Sequence, residues 1–421
     1  MKFGTTLLLF LHLAGIALRA QTPDSAGGVD AARFVSAIPE AVDGEEAAFD
    51  SASGRQPRRK PAVSSSDLCT APLPGVAVPN APHGIFALDY NGATAFGLSA
   101  IVHQPAVCGG IPFIVWSTVD KGNGQYDWSS VDTNIAYWTA AGKTVNLLVW
   151  DVSNNAPNTG TPAYVLADKN YKSVSCVDQG ITSSWPVYYL DPFKSYYKTF
   201  MQAVLNRYGA NPNVGYIRFG LGKGAETFPT CMSAMMTYSG FTQQQFDAQW
   251  ESYNAEMTQY LQGVQAQIRQ SSGRVVEIMT SMNGVGTSSS YAVNDFQAKD
   301  AASKGMGFGC QGESQSDITN YQNGKACVSD WCAMFKMYAG QAPLQLSTLA
   351  ASDPTNAPGG TGSMTALLPF ALSLHTQIFE AYISDLLIAY DPTNKDYAQY
   401  GAAYRQAFEQ FADTVGYGSK P

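Results

Sequence analysis

Three glutamates stand close to the ends of apolar, strand-like runs, where a carboxyl group on a rigid element can meet a substrate. Glu226 closes the stretch Tyr216-Ile217-Arg218-Phe219-Gly220-Leu221-Gly222-Lys223-Gly224-Ala225-Glu226 and is followed by Thr227, Phe228 and Pro229. Glu380 ends the eighth apolar run, in Gln377-Ile378-Phe379-Glu380-Ala381-Tyr382, and Glu313 follows the sixth, in Cys310-Gln311-Gly312-Glu313. Two carboxyl groups that face each other divide the work of bond cleavage. One protonates a leaving oxygen and the other attacks or activates water. Glu380 and Glu313 also have a plainer reading, because negative charge is favoured at the N-terminus of a following helix. A lone Glu in a glycine-rich loop has less to do as scaffolding, so Glu226 leads. Arg218 lies inside a strand-like run, where an unpaired charge is costly. It is expected to pair with a carboxylate, Glu226 or Glu380. Asp89, Trp116, Trp150, Asp151 and Asn283 stand at the ends of other apolar runs. Trp150 can form a platform, and Asp151 and Asn283 can bind hydroxyls. Each alone is explained by structure, and their convergence on one rim is the functional argument.

The elements that must position these residues alternate. Apolar strand-like runs fall at 84–88, 112–116, 144–150, 214–219, 275–280, 305–310, 344–348 and 376–379. Helical patterns lie between them at 131–141, 194–208, 243–269 and 397–415, with apolar residues three and four apart. Strand–helix alternation implies a mostly parallel sheet, and eight rounds fit a closed (β/α)8 barrel better than an open sheet. Function in such barrels sits in the loops that follow the strands. Two of these loops are long, 151–190 and 221–242, as binding walls and lids are.

Gly124-Gln125-Tyr126-Asp127-Trp128-Ser129-Ser130-Val131-Asp132, followed by Ala141-Gly142-Lys143-Thr144-Val145-Asn146-Leu147-Leu148-Val149, resembles the second-to-third barrel unit of the retaining glycoside hydrolases of the β-galactosidase, cellulase and xylosidase clan. The resemblance covers about residues 84–230. As structure, Gly124 permits a turn, Tyr126 and Trp128 plug it against the barrel, and Asp132 lies in the first turn of the next helix. The resemblance implies a TIM barrel that cleaves glycosidic bonds, with Glu226 as acid/base after the fourth strand. Ala225 stands where the clan usually has Asn, and the seventh run, Leu344-Gln345-Leu346-Ser347-Thr348, lacks the clan's Glu nucleophile. Glu380 or Glu313 is then the second carboxyl. A non-catalytic carbohydrate-binding barrel is the competing reading. Serine hydrolysis lacks a Gly-x-Ser-x-Gly elbow.

The remaining features set the setting. Lys2, the apolar run from Leu7 to Leu18 and the small Ala20 before Gln21 predict a signal peptide over 1–20. Residues 21–80 are rich in Ala, Ser, Pro, Gly and charge, with a basic knot at Arg55, Arg58, Arg59 and Lys60. They read as a disordered linker, leaving 81–418 for the barrel. No later run is apolar enough for stable membrane insertion, so a secreted or periplasmic location is expected. The formal net charge of −8 argues against nucleic acid. Charged residues are 14% and aromatics 12%, which suits an oligo- or polysaccharide substrate, whose apolar faces stack on rings, and equally suits a large core. No cofactor is expected: there is no dinucleotide fingerprint after the first run, and His83, His103 and His375 lack metal-ligand spacing. Seven cysteines in an exported chain permit disulfides and leave at least one thiol over. Cys176 and Cys231 lie in consecutive long loops and can pair, as can two among Cys310, Cys327 and Cys332.

Overall fold

The computed structural model describes residues 82–89, 97–178, 180–282, 290–327, 330–357 and 360–416. The signal peptide, the linker and Asn283 lie outside them. Eight parallel strands close into a barrel: β1 (Gly84–Asp89), β2 (Val107–Val115), β5 (Thr144–Trp150), β8 (Val214–Phe219), β9 (Glu277–Ser281), β10 (Gly307–Glu313), β11 (Leu344–Thr348) and β12 (Ile378–Tyr382). They neighbour one another in chain order, and β12 returns to β1 with Gly84 opposite Ile378 and Phe86 opposite Glu380. Two hairpins lie in the loops, β3 (Asp120–Gly122) with β4 (Gln125–Tyr126), and β6 (Ser173–Asp178) with β7 (Ile181–Pro186). This is the (β/α)8 barrel that the alternation of runs implies. Among the described residues no helix is long and apolar enough to cross a membrane.

Each strand sends alternate side chains inward and outward. Phe86, Leu88, Ile111, Leu148, Tyr216, Met279 and Ile378 form a cluster inside the barrel. The intervening residues, such as Ile85, Leu147, Ile217 and Phe379, pack in a larger cluster with the helices. The helix Phe193–Tyr208 buries Tyr197, Phe200, Met201 and Val204. The long helix Gln243–Ser272 starts at a capping box, in which the Thr242 hydroxyl accepts from the Gln245 N–H and the Gln245 side chain accepts from the Thr242 N–H. It stops at Gly273, whose φ of 72° suits glycine. Tyr126 and Trp128 stack on one another, Trp128 stacks on Phe200 and Tyr126 lies tilted against it, so they fasten the β3–β4 turn to that helix layer. Asp132 lies in the first turn of the helix Ser129–Ala140 and pairs with Arg207.

Five of the eight barrel strands differ from the expected runs, β1 and β9 by no more than two residues at either end and three by more. β2 begins at Val107, five residues before the expected run, because Cys108-Gly109-Gly110 is strand despite its glycines. A Cβ at Gly109 would lie 1.8 Å from the Thr144 carbonyl oxygen of the next strand, so only glycine permits this approach. β10 extends to Glu313, which is its last residue and does not follow it. β12 runs from Ile378 to Tyr382, so Glu380 lies in mid-strand and does not end it. Cys176–Cys231 and Cys327–Cys332 are disulfides, and Cys310 is a buried free thiol.

Gly110 makes the helix packing testable. A Cβ there would lie 2.1 Å from Cε2 of the buried Trp138. Gly110→Ala is expected to destabilise the barrel by about 1–3 kcal/mol through overpacking, read as a lower urea midpoint. An unchanged midpoint would contradict this seating of the indole.

Candidate active site

Inside the barrel the inward positions of β8 are Tyr216 and Arg218, both fully buried. β8 and β12 are the fourth and eighth of eight strands, so their inward side chains meet across the barrel. Arg218 Nη2 donates to Glu380 Oε2 at 2.7 Å and Nη1 to Gln345 Oε1 at 2.9 Å. The Tyr216 hydroxyl donates to Glu380 Oε1. Burial pushes the Glu380 carboxyl above its ordinary range, while the Arg218 guanidinium and the Tyr216 hydroxyl hold the charged form against it. Of the two partners open to Arg218 in the sequence, Glu380 is the one it grips.

Glu226 joins this network through Gln311. With the Gln311 amide nitrogen turned toward Glu226, it donates to Oε1 at 3.2 Å, and the amide oxygen accepts from Arg218 Nη1 at 3.1 Å and from Nη2. The opposite orientation would set amide N–H against guanidinium N–H. Gln311 also hydrogen-bonds Glu380 in one of its orientations. Both carboxyl groups therefore border one amide and one guanidinium. Of the three candidate glutamates, Glu226 alone keeps part of its surface open to solvent. Burial still raises its carboxyl to about 7, against the pull of Arg218 and Lys223.

The glycines before Glu226 have a steric cause. A Cβ at Gly220 would lie 2.4 Å from the Gly224 carbonyl oxygen, and one at Gly222 the same distance from that of Phe228. The segment folds back on itself, with Leu221 N–H donating to the Glu226 carbonyl and Lys223 N–H to that of Phe228. Thr227 then anchors it to the barrel, its hydroxyl donating to the Ser281 carbonyl at 2.5 Å.

The other expected site residues separate by the side of the strand they occupy. Trp150 is on the inner side, half-buried, edge-on to Phe113 with ring centroids 5.3 Å apart. Asp89 points outward and accepts from the Trp138 indole of the helix Ser129–Ala140. Trp116 is fully buried among Phe193, Tyr197 and Phe200 of the helix Phe193–Tyr208. Asp151 is fully buried near Tyr171, Tyr188, Tyr197 and Tyr253, and burial holds its carboxyl well above the ordinary range. These three lie in the packing behind the barrel and not on the rim expected for them: Asp89 alternates with the inward Leu88, and Trp116 and Asp151 follow the last residues of β2 and β5. Glu313 is fully buried, and among the described residues neither of its carboxyl oxygens has a hydrogen-bond partner. Desolvation, reinforced by Asp317, raises it well above the ordinary range. The residues missed in the sequence are Tyr216, Gln311 and Gln345. Their signal is polarity within apolar runs, and for Tyr216 the two-residue spacing from Arg218.

No protein-family model matches the chain, and no curated protein matches it. Among solved structures, the catalytic domain of a β-amylase from Paenibacillus polymyxa is similar with a TM-score of 0.50 and 12% identity, over 80% of this chain and 98% of that one. A β-galactosidase from the psychrophilic Marinomonas ef1 is similar with a TM-score of 0.47 and 11% identity, over 79% of this chain, which spans 59% of that one. At such identity the likeness is one of fold: this chain shares its (β/α)8 barrel with the β-amylase catalytic domain.

The buried acids carry a prediction for stability. Glu226 and Asp385 are raised to about 7 and Glu277 to about 8, in each case mainly by burial. A folded state that binds protons more tightly than the unfolded chain is stabilised below the ordinary carboxylate range. It loses that stability as pH rises through the folded values. The melting temperature is expected to fall by several degrees between pH 5 and pH 8.5, and calorimetry that shows a rise over that window would contradict these assignments.

Proposed function

We propose that the chain is an exported glycoside hydrolase in which Glu226 is the general acid and Glu380 the facing carboxylate. The observation that carries this reading is the Glu226–Gln311–Arg218–Glu380 network, which links the partly exposed Glu226 to the buried ion pair. In it burial raises the Glu226 carboxyl to about 7, while Glu380 accepts directly from the Arg218 guanidinium and the Tyr216 hydroxyl. Unequal environments for two carboxyl groups are what acid and nucleophile, or acid and base, require. Glu226 protonates the leaving oxygen, and Glu380 attacks the sugar or activates water. Trp150, on the inner face, supplies an apolar surface for a sugar ring. The barrel shared with a β-amylase catalytic domain makes oligo- and polysaccharides the first substrates to try. The disulfides fit an oxidising compartment, in agreement with the expected signal peptide. Glu313 has no hydrogen bond to the network and is the weaker second carboxyl.

A non-catalytic carbohydrate-binding barrel is the second reading. It is favoured by the complete burial of Glu380 and by Ser347 and Thr348, not a carboxylate, at the end of β11.

A polysaccharide and aryl-glycoside panel separates the two. On a cleaved substrate, activity is expected to fall as pH rises through about 7, where Glu226 loses its proton. Glu226→Gln should lower turnover by about 100-fold or more and leave sugar binding nearly intact. Full activity in that variant would remove Glu226 from the mechanism. Binding without turnover on every substrate would favour the second reading.

A further inference from the structure

The β6–β7 hairpin, in the loop after β5, is fastened twice to the segment that carries Glu226. The Cys176–Cys231 disulfide joins β6 to the residue before the helix Met232–Ser239. At the end of the same strand, Asp178 Oδ1 pairs with Lys223 Nζ at 2.8 Å, with both side chains mostly shielded from water. Lys223 and Glu226 belong to one turn, because the Glu226 N–H donates to the Lys223 carbonyl at 3.1 Å.

The groups that face Glu226 come from three elements. β8 presents Arg218, the loop itself presents Lys223, and β10 presents Gln311 and the buried Cys310 thiol. Arg218 is committed to Glu380 and Gln345. The ammonium of Lys223 is therefore the cation beside Glu226 whose counter-charge comes from a different loop.

We propose that Asp178 and Lys223 are positioning residues that set the charge around the Glu226 carboxyl, with the hairpin delivering the counter-charge. This rests on the reading of Glu226 as the acid. Lys223 favours the ionised carboxylate and Asp178 opposes it by pairing with Lys223. The disulfide keeps Asp178 in place. Sequence alone gives no hint of the pair, since its members are 45 residues apart in two loops.

Carbon-13 carboxyl NMR titration of the full chain tests this without turnover, with the Glu226 signal identified by its loss in Glu226→Gln. Asp178→Asn should lower the Glu226 midpoint and Lys223→Gln should raise it, each by roughly half a pH unit or more. The double variant should return close to the wild-type value. The disulfide retains the hairpin in all three, which non-reducing peptide mapping checks. Midpoints that move in the same direction in both single variants, or in neither, would reduce the pair to a tether and overturn the proposal. Because the carboxyl is read directly, absence of glycosidase activity would count against the proposed reaction and leave the titration result standing. Where a substrate is cleaved, the upper limb of the pH–rate profile should shift in step.

Discussion

A guanidinium and a carboxylate withdrawn from water inside a barrel must find each other, because either one alone is left uncompensated at a cost of several kcal/mol. Arg218 and Glu380 are both fully buried, on strands that face each other across the barrel. Their contact fixes much of what surrounds it. Tyr216 needs an acceptor and finds it in Glu380, and Gln345 supplies an oxygen to the other arm of the guanidinium. Gln311 must turn its carbonyl to Arg218, which aims its N–H groups at Glu226. The orientation of the mouth-facing acid thus descends from an ion pair deeper in the barrel.

The loops finish what the barrel begins. Glu226 lies beyond the end of β8, in a segment that only glycine at 220 and 222 allows to fold so tightly. That segment is held by Thr227 to β9, by Trp250 of the long helix, whose indole donates to the Thr227 carbonyl, and by the two links to the β6–β7 hairpin. A carboxyl on an exposed loop would sample many positions. Here several independent anchors hold it over the ion-paired pair below.

The barrel was legible because the apolar runs are strong and alternate with helical stretches. The runs at 144–150, 214–219 and 344–348 match β5, β8 and β11 end to end. Arg218 was legible because a charge in an apolar run demands a partner. The rim was harder to read. In a strand the side chain changes face at every residue, so a boundary wrong by one residue sends a candidate to the opposite side. Asp89 and Asp151 fall next to the inward Leu88 and Trp150, and both point into the helix layer. Trp116 stood as a strand end only while β2 was placed too late, past its glycine pair. The amides of Gln311 and Gln345 carry no motif, and their use follows only from the three-dimensional position of Arg218.

The organising role of the cross-barrel pair is tested most directly by a double-mutant cycle on folding stability with Arg218→Met, Glu380→Gln and both together. Each single change is expected to cost about 3–5 kcal/mol, since each leaves a buried group without its counter-charge. The double variant should cost far less than the sum of the two. If the two costs simply add, the side chains are not coupled, and the pair cannot be what holds the site together.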